Sequence, residues 1–274
     1  SATLEELYLA GRIARGLGSG NIDSRLRQRD FRDQGADPLH PGLGLRIADI
    51  ESLQGLLLVG SNLRREAPLL AHRVRKAARR GAKVALLNPA VFEYYFPVAA
   101  YLQSAPAAQA ADLAAVLRAA AEAAGAAVPE HLSQAVAGAE VGDQHRAVAA
   151  ALAADAKRAI WLGALALRHP RFADLRALAA ALAQVTGASL GVLAEGANAA
   201  GAHLAGAVPH REAGGKPVSA AGLTAADMLA RPLASYLLVG GVEPWADAPA
   251  SDAARVLGQA ELVVAITQFA SETL

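Results

Sequence analysis

Cysteine is absent from all 274 residues. That rules out disulfides, thiolate-held iron–sulfur clusters and zinc–thiolate sites within this stretch, and it suits a reducing compartment. Aromatic residues make up only 4% and methionine occurs once, so the 54% apolar fraction is chiefly alanine and aliphatic side chains. Small side chains fill a core only when helices pack close to a sheet. Neither sign of charge dominates. A formal net charge of +1 supplies no global field to recruit nucleic acid or an anionic membrane. No apolar run is long enough to cross a bilayer, and no secretory leader pattern is found. The alanine bias, with arginine preferred over lysine, fits a GC-rich bacterial genome. Because Ser1 is not a Met, and the chain stops just after a strong strand pattern, a fragment of a longer subunit is expected.

What is present is a repeated grammar of apolar run, glycine turn and helix. Residues 4–18 predict a helix with Leu4, Leu7, Ala10, Ile13 and Leu17 along one stripe. The Gly- and Pro-rich segment 30–46 reads as irregular. LQGLLLVGSN then gives a buried strand through Val59, APLLAHRVRKAARRG (67–81) a helix, and AKVALLNP (82–89) a second strand. Pro68 starts that helix and Gly81 ends it, with Leu69, Leu70, Val74 and Ala77 as its apolar face. Arg73, Lys76 and Arg80 lie opposite. Such a βαβ unit demands a parallel crossover. The grammar returns at 157–196 and again at 234–268, which predicts α/β layers with parallel sheets and flanking helices. An Ala-rich helical stretch is expected from about Ala99 to Ala156, broken at Pro129 and Gly142, and a long Gly/Ala loop over 194–217. Residues 1–98 with 215–274 are expected to form a discontinuous Rossmann-like lobe, with 99–214 as an inserted α/β lobe.

Candidate chemistry is sparse. GLGSGN (16–21) follows a helix rather than a strand, so it reads as a helix C-cap and turn, not a dinucleotide loop. AGGKP (213–217) lacks the first glycine and the Ser or Thr of a phosphate-binding loop. His40, His72, His131, His145, His169, His203 and His210 show no metal-ligand spacing. No nucleophile elbow appears. Glu66, Glu93 and Glu195 read as solvated or capping residues, and the basic run from Arg64 to Lys83 as a solvated face. What remains are the strand-end turns Gly60-Ser61-Asn62, Asn88-Pro89 and Gly240-Gly241-Val242-Glu243. Ligands of open α/β sheets collect at such carboxyl ends. The alternative is purely structural: glycine permits the sharp turn and Asn62 caps the helix after it.

VGSNLRREAPLLAHRVRKAARRGAKVALLNP (59–89) resembles the large iron–sulfur subunit of bacterial proton-pumping NADH:quinone oxidoreductase, respiratory complex I. NIDSRLRQRDF (21–31), GANAAGAHLAGAVPHR (196–211), LLVGGVEPWAD and LVVAITQFASETL are similar to further stretches of it, in order along the whole chain. The resemblance implies a molybdopterin-oxidoreductase-like fold, as in formate dehydrogenase and the dimethyl sulfoxide reductases. In those enzymes, turns like these cradle a pterin guanine dinucleotide. It further implies that the complex I subunit keeps the fold without the cofactor. Its 2Fe-2S and 4Fe-4S clusters belong to a cysteine-rich N-terminal half outside these residues.

Set against that pattern, the sequence departs at informative places. Where a pterin enzyme commonly ends its second strand in Asp-Pro-Arg, this chain has Asn88-Pro89-Ala90. Where a Gly-Gly-Asn-Pro-like turn is usual, it has Gly240-Gly241-Val242-Glu243-Pro244. Val242 has no side-chain amide to offer a pterin, and Glu243 brings negative charge toward a diphosphate. The nine residues Gly60, Ser61, Asn62, Asn88, Pro89, Gly240, Gly241, Val242 and Glu243 are therefore expected to be a relic crevice, with no catalytic residue, metal ligand or cofactor in the fragment. The resemblance implies as partners the NADH-oxidising module and connecting subunits of the peripheral arm, on the cytoplasmic side of the bacterial inner membrane. Nucleic-acid binding and direct membrane insertion are not expected. Two alternatives stand beside this reading: a fragment of an active molybdopterin-dependent oxidoreductase, and a module that keeps an unrelated nucleotide.

Overall fold

Strands buried on both faces must be apolar at nearly every position, and the continuous runs that end at Val59, Asn88 and Leu162 become such strands. A computed structural model describes residues 2–153, 157–248 and 252–269. The expected helical stretch thus loses its last three residues, and the terminal segment its last five, to positions outside the described residues. The chain divides into two units, residues 42–194 and residues 1–41 with 195–274. The helices along it are α1 (Leu4–Gly16), α2 (Leu63–Glu66), α3 (Pro68–Arg79), α4 (Gln109–Ala124), α5 (Ser133–Ala137), α6 (Asp143–Ala150), α7 (Ala164–Leu167), α8 (Phe172–Thr186), α9 (Ala199–Leu204), α10 (Ala225–Met228), α11 (Pro244–Asp247) and α12 (Ala253–Gly258).

In the 42–194 unit, β1 (Gly55–Val59), β2 (Lys83–Asn88), β3 (Ala100–Gln103), β4 (Arg158–Leu162) and β5 (Ser189–Val192) form one sheet in the order β3-β2-β1-β4-β5. Every neighbouring pair is parallel. Side chains alternate between two cores. Leu57, Val59, Ala85 and Leu87 join one with residues of α4 and α8, while Leu56, Leu58, Val84 and Trp161 join the other with Ala71, Val74 and Ala78 of α3. The fold class expected from the sequence, parallel sheet with flanking helices, is what the structure has.

Several local expectations are corrected. Lobe boundaries at 98/99 and 214/215 would separate β1 from β4. In fact the two pair along their whole length, from Gly55 with Arg158 to Val59 with Leu162, so the division falls at 41/42 and 194/195. The supposed all-helical stretch begins with strand β3, and the Gly/Ala loop contains α9. The buried face of α3 is Ala71, Val74, Ala77 and Ala78, whereas Leu69 is 81% exposed. The stripe on α1 is not a buried one either. Leu4, Ile13 and Leu17 are exposed and Gly11 is the buried position, close enough to α9 that a Cβ would lie 3.8 Å from Ala205 O.

The other unit carries β6 (Ser235–Val239) and β7 (Leu262–Ile266), paired in parallel. Much of its remainder is irregular chain held by arginines. Arg15 donates to Gly206 O and Arg211 O, both at 2.9 Å, and Arg25 bridges Asp23 and Asp37 at 2.8 and 3.0 Å. Among the described residues no helix is long and apolar enough to cross a membrane.

Candidate functional site

The strand order reverses at β1, which has β2 on one side and β4 on the other. That switch point, outside the carboxyl ends of β1 and β4, is where an open α/β sheet offers a crevice. Here the two turns lie in backbone contact. Gly60 has φ of 61°, and a Cβ on it would sit 2.5 Å from Ala166 N. A Cβ on Gly163, the residue after β4, would sit 2.4 Å from Ser61 Cβ. Gly163 N donates to Val59 O at 2.9 Å, and Gly60 O accepts from Leu165 N at 2.9 Å. Glycine at both positions is therefore a condition for closing the crevice with main chain.

Asn88 completes the closure. It ends β2 with its side chain wholly buried. Its Oδ1 accepts from Ser61 N at 2.7 Å and its Nδ2 donates to Ser61 O at 3.0 Å, a two-point clasp between strand ends. Tyr94 Oη adds a second donor to Ser61 O at 2.7 Å. Burial, then the neighbouring Tyr101, raises the Tyr94 pKa well beyond the usual phenol range, so it remains a donor. Tyr101 Oη donates to Ala90 O at 2.7 Å and accepts from Phe92 N at 3.0 Å, which fixes the chain just after Pro89.

The helix start after the turn is capped by Glu66, not by Asn62. Glu66 Oε1 accepts from Asn62 N at 2.7 Å, and Oε2 accepts from Ser61 Oγ at 3.1 Å and Ala164 N at 3.2 Å. Asn62 makes no side-chain cap, and its Oδ1 is buried without a hydrogen-bond partner. Of the two readings offered for Glu66, capping is the one the geometry shows. One carboxylate thus ties the start of α2 to the start of α7.

Gly60, Ser61, Asn62, Asn88 and Pro89 are brought together in this way. Gly240, Gly241, Val242 and Glu243 follow β6 and belong to the other unit. There Gly240 and Gly241 take left-handed φ of 89° and 73°. Glu243 N donates to Asp247 Oδ2 at 2.9 Å, and Arg27 pairs with the same carboxylate at 2.8 Å. Both turns share one device, an acidic side chain that takes the amide four residues before it. Sequence reasoning missed Tyr94, Tyr101 and Gly163 as parts of the closure, and offered Glu66 only as a solvated or capping residue. Gly163 carried a signal, being a third apolar run ended by glycine, and Glu66 lay at cap distance from the turn. The tyrosines carried none.

The remaining candidates are structural. Gly18 N bonds back to Arg15 O at 2.9 Å, an ordinary helix end at 16–21. His169 is buried and satisfied, bonded through Nε2 to Pro106 O and through Nδ1 to Arg171 N. Among the described residues no group of three or more His, Asp or Glu side chains is placed to hold a metal ion. His203 and His210 are 8% and, by side chain, 9% exposed. Burial first, with Arg25 adding to it, depresses both below the ordinary imidazole value; the Ala199 carbonyl opposes this at His203, Asp37 and Asp23 oppose it at both, and Arg211 depresses His210 further. The unfolded chain then takes up protons near pH 6.5 that the folded chain refuses. Stability is accordingly expected to be full above about pH 6.5 and to fall as pH drops, by at most about 1.4 kcal/mol per pH unit per histidine. Urea midpoints between pH 7.5 and 5.5 check this, and His210→Gln is expected to flatten the slope.

The model of the molybdopterin oxidoreductase family matches residues 1–274. No curated protein matches the sequence. Among solved structures, a chain of the formyltransferase/hydrolase complex from Methylorubrum extorquens, determined in complex with methylofuran, is similar in fold. It is 16% identical with a TM-score of 0.61, and the match covers 99% of this chain and 73% of that one.

Proposed function

Because this chain belongs to the molybdopterin oxidoreductase family, we propose that it is a member that has kept the fold and given up the cofactor. On this reading it is the non-catalytic structural and interaction domain of the large iron–sulfur subunit of a proton-pumping NADH:quinone oxidoreductase. It sits in the peripheral arm on the cytoplasmic side of the bacterial inner membrane. Its neighbours are the NADH-oxidising module and the connecting subunits. The parent enzyme moves electrons from NADH through flavin and iron–sulfur clusters to quinone. The domain supplies a scaffold to the cluster-bearing half and surfaces to its neighbours.

One observation carries the reading. A dinucleotide diphosphate at a switch point needs free backbone amides. At this one, Ser61 N is bound by Asn88, Asn62 N and Ala164 N by Glu66, and Leu165 N by Gly60 O. Those residues do not fit the pterin dinucleotide as they stand. The similar fold in a formyltransferase/hydrolase complex accords with this, since fold alone does not dictate chemistry.

The family match itself favours a second reading, an active molybdopterin-dependent oxidoreductase. Elemental and pterin analysis of the full-length protein, purified from its own cells, separates the two. The expected result is iron without stoichiometric molybdenum or tungsten, in a preparation that carries NADH:quinone oxidoreductase activity. Stoichiometric molybdenum or tungsten with extractable pterin overturns the proposal.

A further inference from the structure

Charge along the chain is balanced overall but not on and just after α3. From Pro68 to Lys83 there are six cations, Arg73, Arg75, Lys76, Arg79, Arg80 and Lys83, and no Asp or Glu. Elsewhere the long helices mix signs: α4 pairs Arg118 with Glu122 at 2.9 Å, and α8 is preceded by Arg171, which pairs with Asp174 at 2.6 Å. Like charges four apart oppose helix formation, and Arg75/Arg79 and Lys76/Arg80 are so spaced. The apolar face of α3 is already used against the sheet, so this charge does nothing for the core.

One end of the cationic face shows how it takes an acid. Glu51, from the turn before β1, accepts from Arg73 at 3.0 Å and Lys76 at 3.1 Å and lies 3.5 Å from Arg80. Arg75, Arg79 and Lys83 are exposed and have no acidic partner among the described residues. On the helix wheel Arg75, Arg79 and exposed His72 lie along one side, while Leu69 lies toward Arg73 and Lys76. Arginine is among the side chains enriched in protein–protein contacts. Arginine, the commoner cation here, grips carboxylates through a planar fork. Nucleic acid fits less well, since the stretch has no aromatic residue to stack a base and the chain has no net positive field. A membrane fits less well too, since the apolar face that would insert is buried in the core.

The geometry points to the Arg75–Arg79 side of α3, with exposed Lys83 at the start of β2 just after it, as the docking surface for an acidic patch, rich in Asp and Glu, on another protein subunit. This deepens the proposed function, since the partner it fits is a neighbouring subunit of the assembly. The test uses the full-length protein isolated with its native partners and treated with a zero-length carboxyl–amine cross-linker. Lys76 to Glu51 within the chain is the built-in control. Expected are links from Lys83, and from the amines introduced by Arg75→Lys and Arg79→Lys, to Asp or Glu of one other polypeptide. Arg75→Glu with Arg79→Glu is expected to lower the amount of that polypeptide retained by about tenfold, with the urea midpoint of the chain unchanged. The control link alone, with the three reporter positions unlinked, overturns the inference. So does binding to phosphatidylserine vesicles or to RNA that the double substitution abolishes in the absence of protein links. Links to an acidic polypeptide foreign to NADH:quinone oxidoreductase sustain the inference and remove the proposed function.

Discussion

Asn88→Asp, which brings Asn88-Pro89 nearer the Asp-Pro-Arg pattern of the enzymes the sequence resembles, is expected to destabilise the protein by about 2–4 kcal/mol at pH 7 and to create no binding site. The expectation rests on the clasp. One carboxylate oxygen can still accept from Ser61 N, as Asn88 Oδ1 does at 2.7 Å. The other replaces a donor and faces Ser61 O, which Asn88 Nδ2 now meets at 3.0 Å. Two acceptors then confront each other where the wild-type side chain is wholly buried. Only a protonated carboxyl can donate there, so the fold raises its pKa above the unfolded value of about 3.9.

The sign of the pH effect follows. The folded variant holds a proton that its unfolded chain has released, so the deficit relative to wild type is largest near neutrality. It shrinks as pH falls through the raised pKa toward the unfolded one. Asn88→Ala loses both bonds and leaves Ser61 N without its acceptor, with no such recovery. Urea midpoints of the two variants against wild type at pH 7.0 and 5.0 distinguish them. An aspartate variant as stable as wild type at neutral pH, or one that gains saturable guanine-nucleotide binding, refutes the view of Asn88 as a structural clasp.

How much of this could be read from the sequence depends on where each signal sits. Strands β1, β2, β4 and β6 were legible because LLLV, VALLN, AIWL and YLLV are apolar runs that meet glycine or Asn-Pro, and the first three are covered on both faces as central parallel strands are. Strand β3 was hidden. AYLQ is short, sits at the sheet edge, and opens an alanine-rich stretch whose propensity favours helix. Helix α9 was hidden for the converse reason, since glycine and alanine in GANAAGAHL read as loop until packing decides. Lobe boundaries failed because the pairing of β1 with β4 joins residues about a hundred positions apart, and no local pattern records a neighbour in a sheet. At the candidate site the glycine turns were visible and their closure was not. Asn88 could be recognised as a departure from Asp-Pro-Arg, but its bonds to Ser61 exist only once two strand ends are side by side.

Glu66→Ala tests the other half of the closure and is expected to cost about 2–4 kcal/mol. The carboxylate accepts from Asn62 N, Ser61 Oγ and Ala164 N at 2.7, 3.1 and 3.2 Å, so its removal orphans two amides and a hydroxyl at once. Its charge faces the starts of two short helices, where unpaired amides favour an anion. Glu66→Gln keeps one acceptor but turns an NH2 group toward an amide donor, and is expected to lose about half as much. If the turn is an anion site filled from within, inorganic phosphate should now enter it. At ten times its dissociation constant, phosphate would stabilise the alanine variant by about 1.4 kcal/mol and leave wild type unmoved apart from the general effect of salt. Matched sodium phosphate and sodium chloride series in thermal unfolding read out the difference. Equal responses of variant and wild type would mean that Glu66 is a helix cap and nothing more. A selective phosphate response would mean that the dinucleotide-type turn survives and that the protein's own carboxylate keeps it shut.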